Sequence, residues 1–285
     1  MKSSLSNKTI LVGDAGGSKT SWAILSQGCE DEIYLETKGF NAYIHDVGQF
    51  ASEISKILTG AEQQIDQIYL YAAGLDTTTK TEEISKALSN RLTVPLKSFG
   101  DLLGTARALL QKELGYLAIL GTGANAGFYD GKKVRSLTSS LGYILGDEGS
   151  GAYMGKQLLK SIYRDRLSPT ITKAFHTKYR LSVEEVLYQL NENDSPNRYM
   201  ASFAPFLLSY LREPEMYAIV QTSFQRFLDT FFTDVEKGQI ISFSGSIAFY
   251  FSDILREIVE RNGYLPGKII ASPIQRLALY HRRNG

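Results

Sequence analysis

Short apolar runs bounded by glycine and hydroxyl residues alternate, along this chain, with longer stretches whose apolar residues return every three or four positions. The short runs predict strands over 9–13, 21–25, 33–36, 65–73 and 94–98, and the longer stretches predict helices over 47–58, 79–92 and 101–111. The pattern then restarts. Strands are expected over 116–120, 126–129 and 133–137, followed by a long helical stretch from 152 to about 237. A strand over 239–244, a helix over 247–262, a strand over 268–272 and a helix over 273–282 complete the pattern. Both halves open on hairpin strands and pass to strand–helix units. This is an α/β chain with a weak internal duplication divided near Leu114-Gly115. The division gives an N-terminal domain over 1–114 and a C-terminal domain over 115–285 that carries a helical insert. Two similar domains facing each other create a cleft, the usual place for a ligand.

Four glycine clusters sit at the ends of these apolar runs. In the first, Leu11-Val12-Gly13-Asp14-Ala15-Gly16-Gly17-Ser18-Lys19-Thr20, one carboxylate and a run of small residues follow a strand, and the apolar run resumes at Trp22. An aspartate there suits a hydrated Mg²⁺, and the glycines let backbone N–H groups approach a phosphate. A second strand follows, so the segment is a hairpin and not a Walker A loop, which would feed a helix. An ordinary tight turn would look the same, but the chain repeats the device at Leu120-Gly121-Thr122-Gly123-Ala124-Asn125-Ala126. These residues satisfy the dinucleotide fingerprint G-x-G-x-x-G/A as letters only, because a strand follows them and position 141 is Leu. The third cluster, Gly146-Asp147-Glu148-Gly149-Ser150-Gly151, opens a helix that both acids suit electrostatically. It fails as a P-loop at Ser150 and Gln157. In the fourth, Ser242-Phe243-Ser244-Gly245-Ser246 joins a buried-type strand to a helix, where a flat ligand can lie over the backbone.

Charge and composition narrow the function. The 285 residues carry 31 Lys and Arg against 30 Asp and Glu, so nothing electrostatic points to nucleic acid or an anionic membrane. No apolar run reaches membrane-spanning length, and no secretory apolar region precedes the first strand, so a cytoplasmic protein is expected. The single cysteine, Cys29, excludes an internal disulfide and a cysteine zinc site. His45, His176 and His281 lie far apart without ligand spacing. The aromatic segment 199–232 suits a core or subunit contact better than a base-stacking platform.

With these motifs in order, the chain resembles the N-acetylglucosamine kinase and benzoyl-CoA-reductase-activator ATPase family. That family lies within the superfamily of sugar kinases, heat-shock chaperones and actin. Asp14 to Thr20 resembles the family's first phosphate motif, Gly121-Thr122-Gly123-Ala124-Asn125 its second, and Ser244-Gly245-Ser246-Ile247-Ala248 its adenosine motif. Leu141-Gly142-Tyr143-Ile144-Leu145-Gly146-Asp147-Glu148-Gly149-Ser150-Gly151 is similar to the family's Gly-Asp-Glu-Gly-Ser segment. The resemblance implies two actin- or ribonuclease-H-like domains around an interdomain ATP cleft, with ATP and Mg²⁺ as cofactors and a homodimer as the assembly. Gly16, Gly17, Ser18, Lys19, Thr20, Gly121, Thr122, Gly123, Gly245 and Ser246 would contact the nucleotide, with Asp14 holding Mg²⁺ through water.

The resemblance further implies that Asp101 takes the proton from the sugar hydroxyl, whereas on local sequence it reads as a helix N-cap. Asn41 in Gly39-Phe40-Asn41, with Asn125, Gly142 and Asp147, would contact the sugar; Asn41 equally reads as a loop former. Three positions depart from the family pattern. Leu141 stands where N-acetylglucosamine kinases tend to carry Trp, Gly100 where Asn commonly precedes the catalytic Asp, and Ala124 where Ser is usual. The expected function is transfer of the ATP γ-phosphate to the 6-hydroxyl of an amino sugar, N-acetylglucosamine or glucosamine. The alternative is a nucleotide-dependent sugar sensor, or an ATPase of the same fold without efficient sugar phosphorylation. Cys29 alone does not supply the paired cysteines of the activator's iron–sulfur cluster, and no helix-turn-helix or basic extension of the repressor kind is found.

Overall fold

The computed structural model describes residues 8–26, 32–42, 46–75 and 78–284; Cys29 and His45 lie outside them. The chain divides into two compact units, the first comprising Met1–Glu113, Gly131–Val134 and Pro273–Gly285, the second Leu114–Asp130 and Arg135–Ser272.

In the first unit β1 (Thr9–Ala15), β2 (Lys19–Ser26) and β3 (Ile33–Lys38) form an antiparallel meander. Then come α1 (Val47–Gly60), β4 (Gln67–Ala72), α2 (Thr78–Ser89), β5 (Leu96–Gly100) and α3 (Asp101–Leu110). The sheet order is β3-β2-β1-β4-β5, with β1, β4 and β5 parallel. Strand alternation divides the sheet into two faces. One carries Leu11, Trp22, Ile24, Ile68 and Leu70, which bury against Phe50, Ile54, Ile84 and Leu88 of α1 and α2. The opposite face carries Val12, Asp14, Tyr69 and Tyr71 in register, and the C-terminal helix (Ile274–Asn284) packs on α3, β1 and β2.

The second unit repeats this plan. β6 (Gly115–Leu120) and β7 (Ala124–Tyr129) form a hairpin and β8 (Val134–Ser136) extends it. A helical insert follows: α4 (Gly142–Leu145), α5 (Gly151–Ile162), α6 (Pro169–Tyr179), α7 (Val183–Glu192), α8 (Pro196–Ala201), α9 (Ala204–Ser209) and α10 (Pro214–Phe231). β9 (Ile240–Ser244), α11 (Ser246–Tyr250), α12 (Ser252–Arg261) and β10 (Leu265–Ile270) complete the unit. Its sheet order, β10-β9-β6-β7-β8, is the first sheet's order with each strand replaced by its counterpart, and β6, β9 and β10 are again parallel. The internal duplication expected from the hydrophobic pattern is therefore a duplication of topology.

Three expectations need correction. The stretch from 152 to 237 is six helices, because four of the seven prolines, Pro169, Pro196, Pro205 and Pro214, fall where helices start. A proline lacks the N–H that a helix interior needs but fits its first turn. The last strand lies at 265–270 and not 268–272; it is an edge strand, where Pro266 is tolerated and the register shifts. The final helix, assigned from sequence to the second domain, belongs to the first unit, burying Ile274, Leu277, Ala278 and His281 at helical spacing. The aromatic segment resolves as core: Phe203, Phe206, Phe224, Phe227 and Phe232 are all buried in the second unit.

His281 explains part of that docking. Arg107 of α3 donates to the Tyr71 hydroxyl at 2.6 Å, and Tyr71 lies 2.9 Å from His281 Nε2. The Tyr71 oxygen accepts from Arg107, and its hydroxyl shares a hydrogen bond with Nε2 whose direction is set by the imidazole tautomer. Burial, and then the nearby Arg107 and Lys97 charges, push His281 from 6.5 down to about 4. The sign follows. The unfolded chain binds this proton at a higher pH than the folded one, so stability is complete above pH 6.5 and is lost as pH falls toward 4. The loss expected is about 3 kcal/mol. Urea unfolding at pH 7, 5.5 and 4 tests this: His281→Gln should flatten the fall seen in the wild type, and parallel curves would assign the loss elsewhere.

Candidate functional site

In the first unit, Ala15 pairs with Ala72 and Ala72 with Gly100, so these three form one row across the carboxyl ends of parallel strands. Asp14 stands one residue before that row and Asp101 one residue after it. Asn41 forms an isolated bridge to Ala73, also one residue beyond the row, and Ala42 N donates to Ala73 O at 3.1 Å. The three candidate polar residues thus share the end of the sheet where open α/β sheets bind ligands. From Ala15 to Gly100 is two strand spacings, about 10 Å.

The Asp14 residue is part-buried, and no hydrogen bond from the described residues reaches its carboxylate. Burial pushes that carboxyl up to about 7, with Lys19 opposing weakly. A lone, poorly solvated carboxylate at a strand end fits a cation that retains most of its water, and not an all-protein cage. Among the described residues no group of three His, Cys, Asp or Glu gathers for such a cage.

The turn after Asp14 is built from backbone. Gly16 N donates to Lys19 O at 3.0 Å, and Phe40 N donates to Gly16 O at 3.0 Å. Gly39 lies against the turn so closely that a Cβ would sit 2.6 Å from both Gly16 O and Gly17 O. The Gly39-Phe40-Asn41 segment therefore divides its work. Gly39 admits the turn, buried Phe40 stacks on Phe50 at 4.2 Å, and Asn41 joins β4. Two residues expected at the phosphate also contact β3. Lys19 pairs with Glu36, and the buried Thr20 hydroxyl donates to Lys38 O at 3.0 Å. Space beside Gly16 and Gly17 is open, so the turn offers its backbone.

Asp101 is the first residue of α3, and its N-cap is Gly100. The capping reading is thereby replaced: Asp101 lies in the first turn, at the positive end of the helix dipole.

The second unit assembles its clusters in the same way. Gly121 N donates to Gly123 O at 3.0 Å, and the N–H groups of Gly151 and Ala152 donate to Gly121 O and Thr122 O, docking α5 beneath the turn. Asp147, at φ +60°, accepts from Ala124 N at 3.2 Å. Its carboxyl is raised to about 6, chiefly by burial, and partly offset by that hydrogen bond. A non-glycine residue with positive φ costs about 1–3 kcal/mol and collects at functional sites. Ser150 caps α5 by accepting from Tyr153 N at 3.1 Å. Gly245 has φ +119°, and a Cβ there would sit 2.2 Å from Leu120 O, so the turn at 121–123 and the Gly245-Ser246 junction meet. Asn125 Oδ1 accepts from Ala126 N at 2.9 Å, a local bond. Gly142 opens α4, whose Leu141, Ile144 and Leu145 flank are exposed. This short helix was not read from sequence, and its only signal was the pair Gly142 and Gly146 around an apolar run.

A candidate N-acetylglucosamine kinase from Porphyromonas gingivalis is 33% identical to this chain, covering 96% of it and 99% of its own length, with a TM-score of 0.88. The chain belongs to the N-acetylglucosamine kinase and benzoyl-CoA-reductase-activator ATPase family. The family's fold recurs in a candidate N-acetylglucosamine kinase from Chromobacterium violaceum, 18% identical over 96% of this chain and 99% of that one, TM-score 0.75. It recurs again in a ROK-family glucokinase from Streptomyces griseus solved with glucose and AMPPNP, 13% identical over 95% and 97%, TM-score 0.57. No protein-family profile and no curated protein matches.

The Gly39 contact yields a prediction. Gly39→Ala should force the first turn outward, costing about 1–3 kcal/mol as overpacking does. Urea melts measure that cost, and nucleotide titration should show weaker ATP binding. Unchanged stability and affinity would mean that the turn moves freely.

Proposed function

We propose that this chain is an ATP-dependent sugar kinase that transfers the γ-phosphate to the 6-hydroxyl of an amino sugar, N-acetylglucosamine first. The observation that carries the reading is the row Ala15–Ala72–Gly100, which brings Asp14, Asn41 and Asp101 to one sheet end in a chain 33% identical to a candidate N-acetylglucosamine kinase.

Phosphoryl transfer asks a protein mainly to align the reactants and neutralise charge. In this reading Asp101 accepts the hydroxyl proton as the sugar oxygen attacks the γ-phosphorus, and ADP leaves with the bridging oxygen. Asp101 lies in the first turn of α3. Asn41 and Asp147 orient sugar hydroxyls. The backbone of the turns at 16–18 and 121–123 receives the phosphates, and Gly245 and Ser246 lie along the adenosine. Asp14 would hold Mg²⁺ through water, and the ion supplies charge neutralisation on the phosphates.

Asp101→Asn should lower kcat by about 10²–10⁴ while sugar KM changes little, read by coupled ADP release. An unchanged kcat would remove Asp101 from the role of base. Asp14→Asn should lose activity that added Mg²⁺ partly restores, and wild-type Mg²⁺ dependence would remove the metal role. The substrate is tested by ADP release with N-acetylglucosamine, glucosamine, N-acetylmannosamine, N-acetylmuramic acid, glucose or no sugar. Stimulation by one amino sugar is expected. ATP binding without stimulation by any of them would instead favour the nucleotide-dependent sensor, in keeping with the departures at Gly100 and Leu141.

A further inference from the structure

The end of the first sheet opposite Asp14 holds a cavity of about 340 Å³ where β1, β4 and β5 begin and β2 ends. It starts at Ile10, four residues and about 13 Å of strand from Asp14. Ile10, Leu25 and Tyr69 give it an apolar and aromatic wall, and Lys8, Lys97 and Arg282 bring three cations. Its lining carboxylate, Asp66, accepts from Thr9 N at 2.9 Å, and Arg282 is bonded to Glu32 at 2.8 Å. Lys97 lies 5.5 Å over the Tyr69 ring, and neither it nor Lys8 forms an ion pair among the described residues. The neighbouring His281 is hydrogen-bonded to the Tyr71 hydroxyl and adds no negative charge.

We infer that this cavity binds a small phosphate-bearing molecule, its phosphate between Lys8 and Lys97 and its body on Ile10, Leu25 and Tyr69. A concave wall in which three cations outnumber one carboxylate concentrates an anion. The ammonium groups of Lys8 and Lys97 suit a phosphate as point charges, while Arg282 gives its Nε to Glu32. The volume is that of a small-molecule site. The inference is independent of the proposed kinase activity, since no residue of the cavity belongs to the phosphate turns or the row at Ala15.

The test reads His281 itself, which lines the cavity with its ring 4.3 Å from that of Tyr69. In a His45→Asn/His176→Asn variant, His281 is the remaining histidine, and its imidazole NMR signals can be followed as inorganic phosphate is added at constant ionic strength. A saturable shift is expected, larger than with acetate. Lys97→Gln or Lys8→Gln, both at exposed positions, should weaken it about tenfold. A silent His281, a response equal for phosphate and acetate, or affinity unchanged in both lysine variants would overturn the assignment. Phosphate captured by the turn at 16–18 would leave His281 unmoved and so counts against it.

Discussion

Parallel pairing of β1 with β4 and of β4 with β5 fixes which residues end together, and the first unit's candidate chemistry depends on that register. A one-residue slip of a strand turns every side chain to the opposite face. It would send Asp14 toward the core of Trp22 and Phe50, and would move Asp101 off the level of Ala73. The register is held from both sides. On one face, apolar residues of β1, β2 and β4 bury against α1 and α2; on the other, Tyr71 is gripped by Arg107 and His281. A polar network at that second face is unusual for a sheet covered by helices. Guanidinium partners phenol and phenol partners imidazole, although Arg107 Nε is buried without a hydrogen bond among the described residues. An isolated polar group there would cost folding energy instead.

The same plan appears in the second unit with different accessories. β6, β9 and β10 reproduce the parallel triplet, and Ile119, Ser244 and Ile270 form its terminal row. Where the first unit inserts one helix between its third and fourth strands, the second inserts seven. The insert's aromatic residues join the sheet and α12 in one core, and its first long helix, α5, reaches back to hold the turn at 121–123 through two backbone hydrogen bonds. The insert is thus tied directly to a candidate phosphate turn, and Asp147 sits in that connection with a backbone geometry that costs energy.

Much of this was legible in the sequence, because strand ends and glycine turns are local signals. The hairpins at 13–20 and 120–126, the helix starting at Asp101 and the duplication all follow from short-range pattern. What was not legible depends on distant contacts. Tyr71 lies inside an apolar run and reads as a core strand residue, and only the fold brings Arg107 and His281 to it. His281 carries no local sequence signal, yet it is buried where the final helix docks. The return of the final helix to the first unit leaves no mark in its own sequence, since an amphipathic helix does not specify its partner. The breaks in the helical insert were legible in principle, from prolines at first-turn positions.

Motif letters and motif contacts differ most at Lys19 and Thr20. Both match a phosphate motif by position, yet one is paired with Glu36 and the other bonds Lys38 O, so each stitches β2 to β3. This makes physical sense for a hairpin. A P-loop lysine is useful because the helix after the loop leaves its side chain free to fold back over the phosphates, whereas a hairpin commits the following residues to a ladder whose neighbours claim them. Phosphate recognition in such a turn falls to N–H groups, which need close approach more than they need charge. Gly39 and Gly245 each admit another backbone where a methyl group would collide with a carbonyl oxygen. The constraint on these turns is therefore steric, and it is set by residues outside the turns themselves.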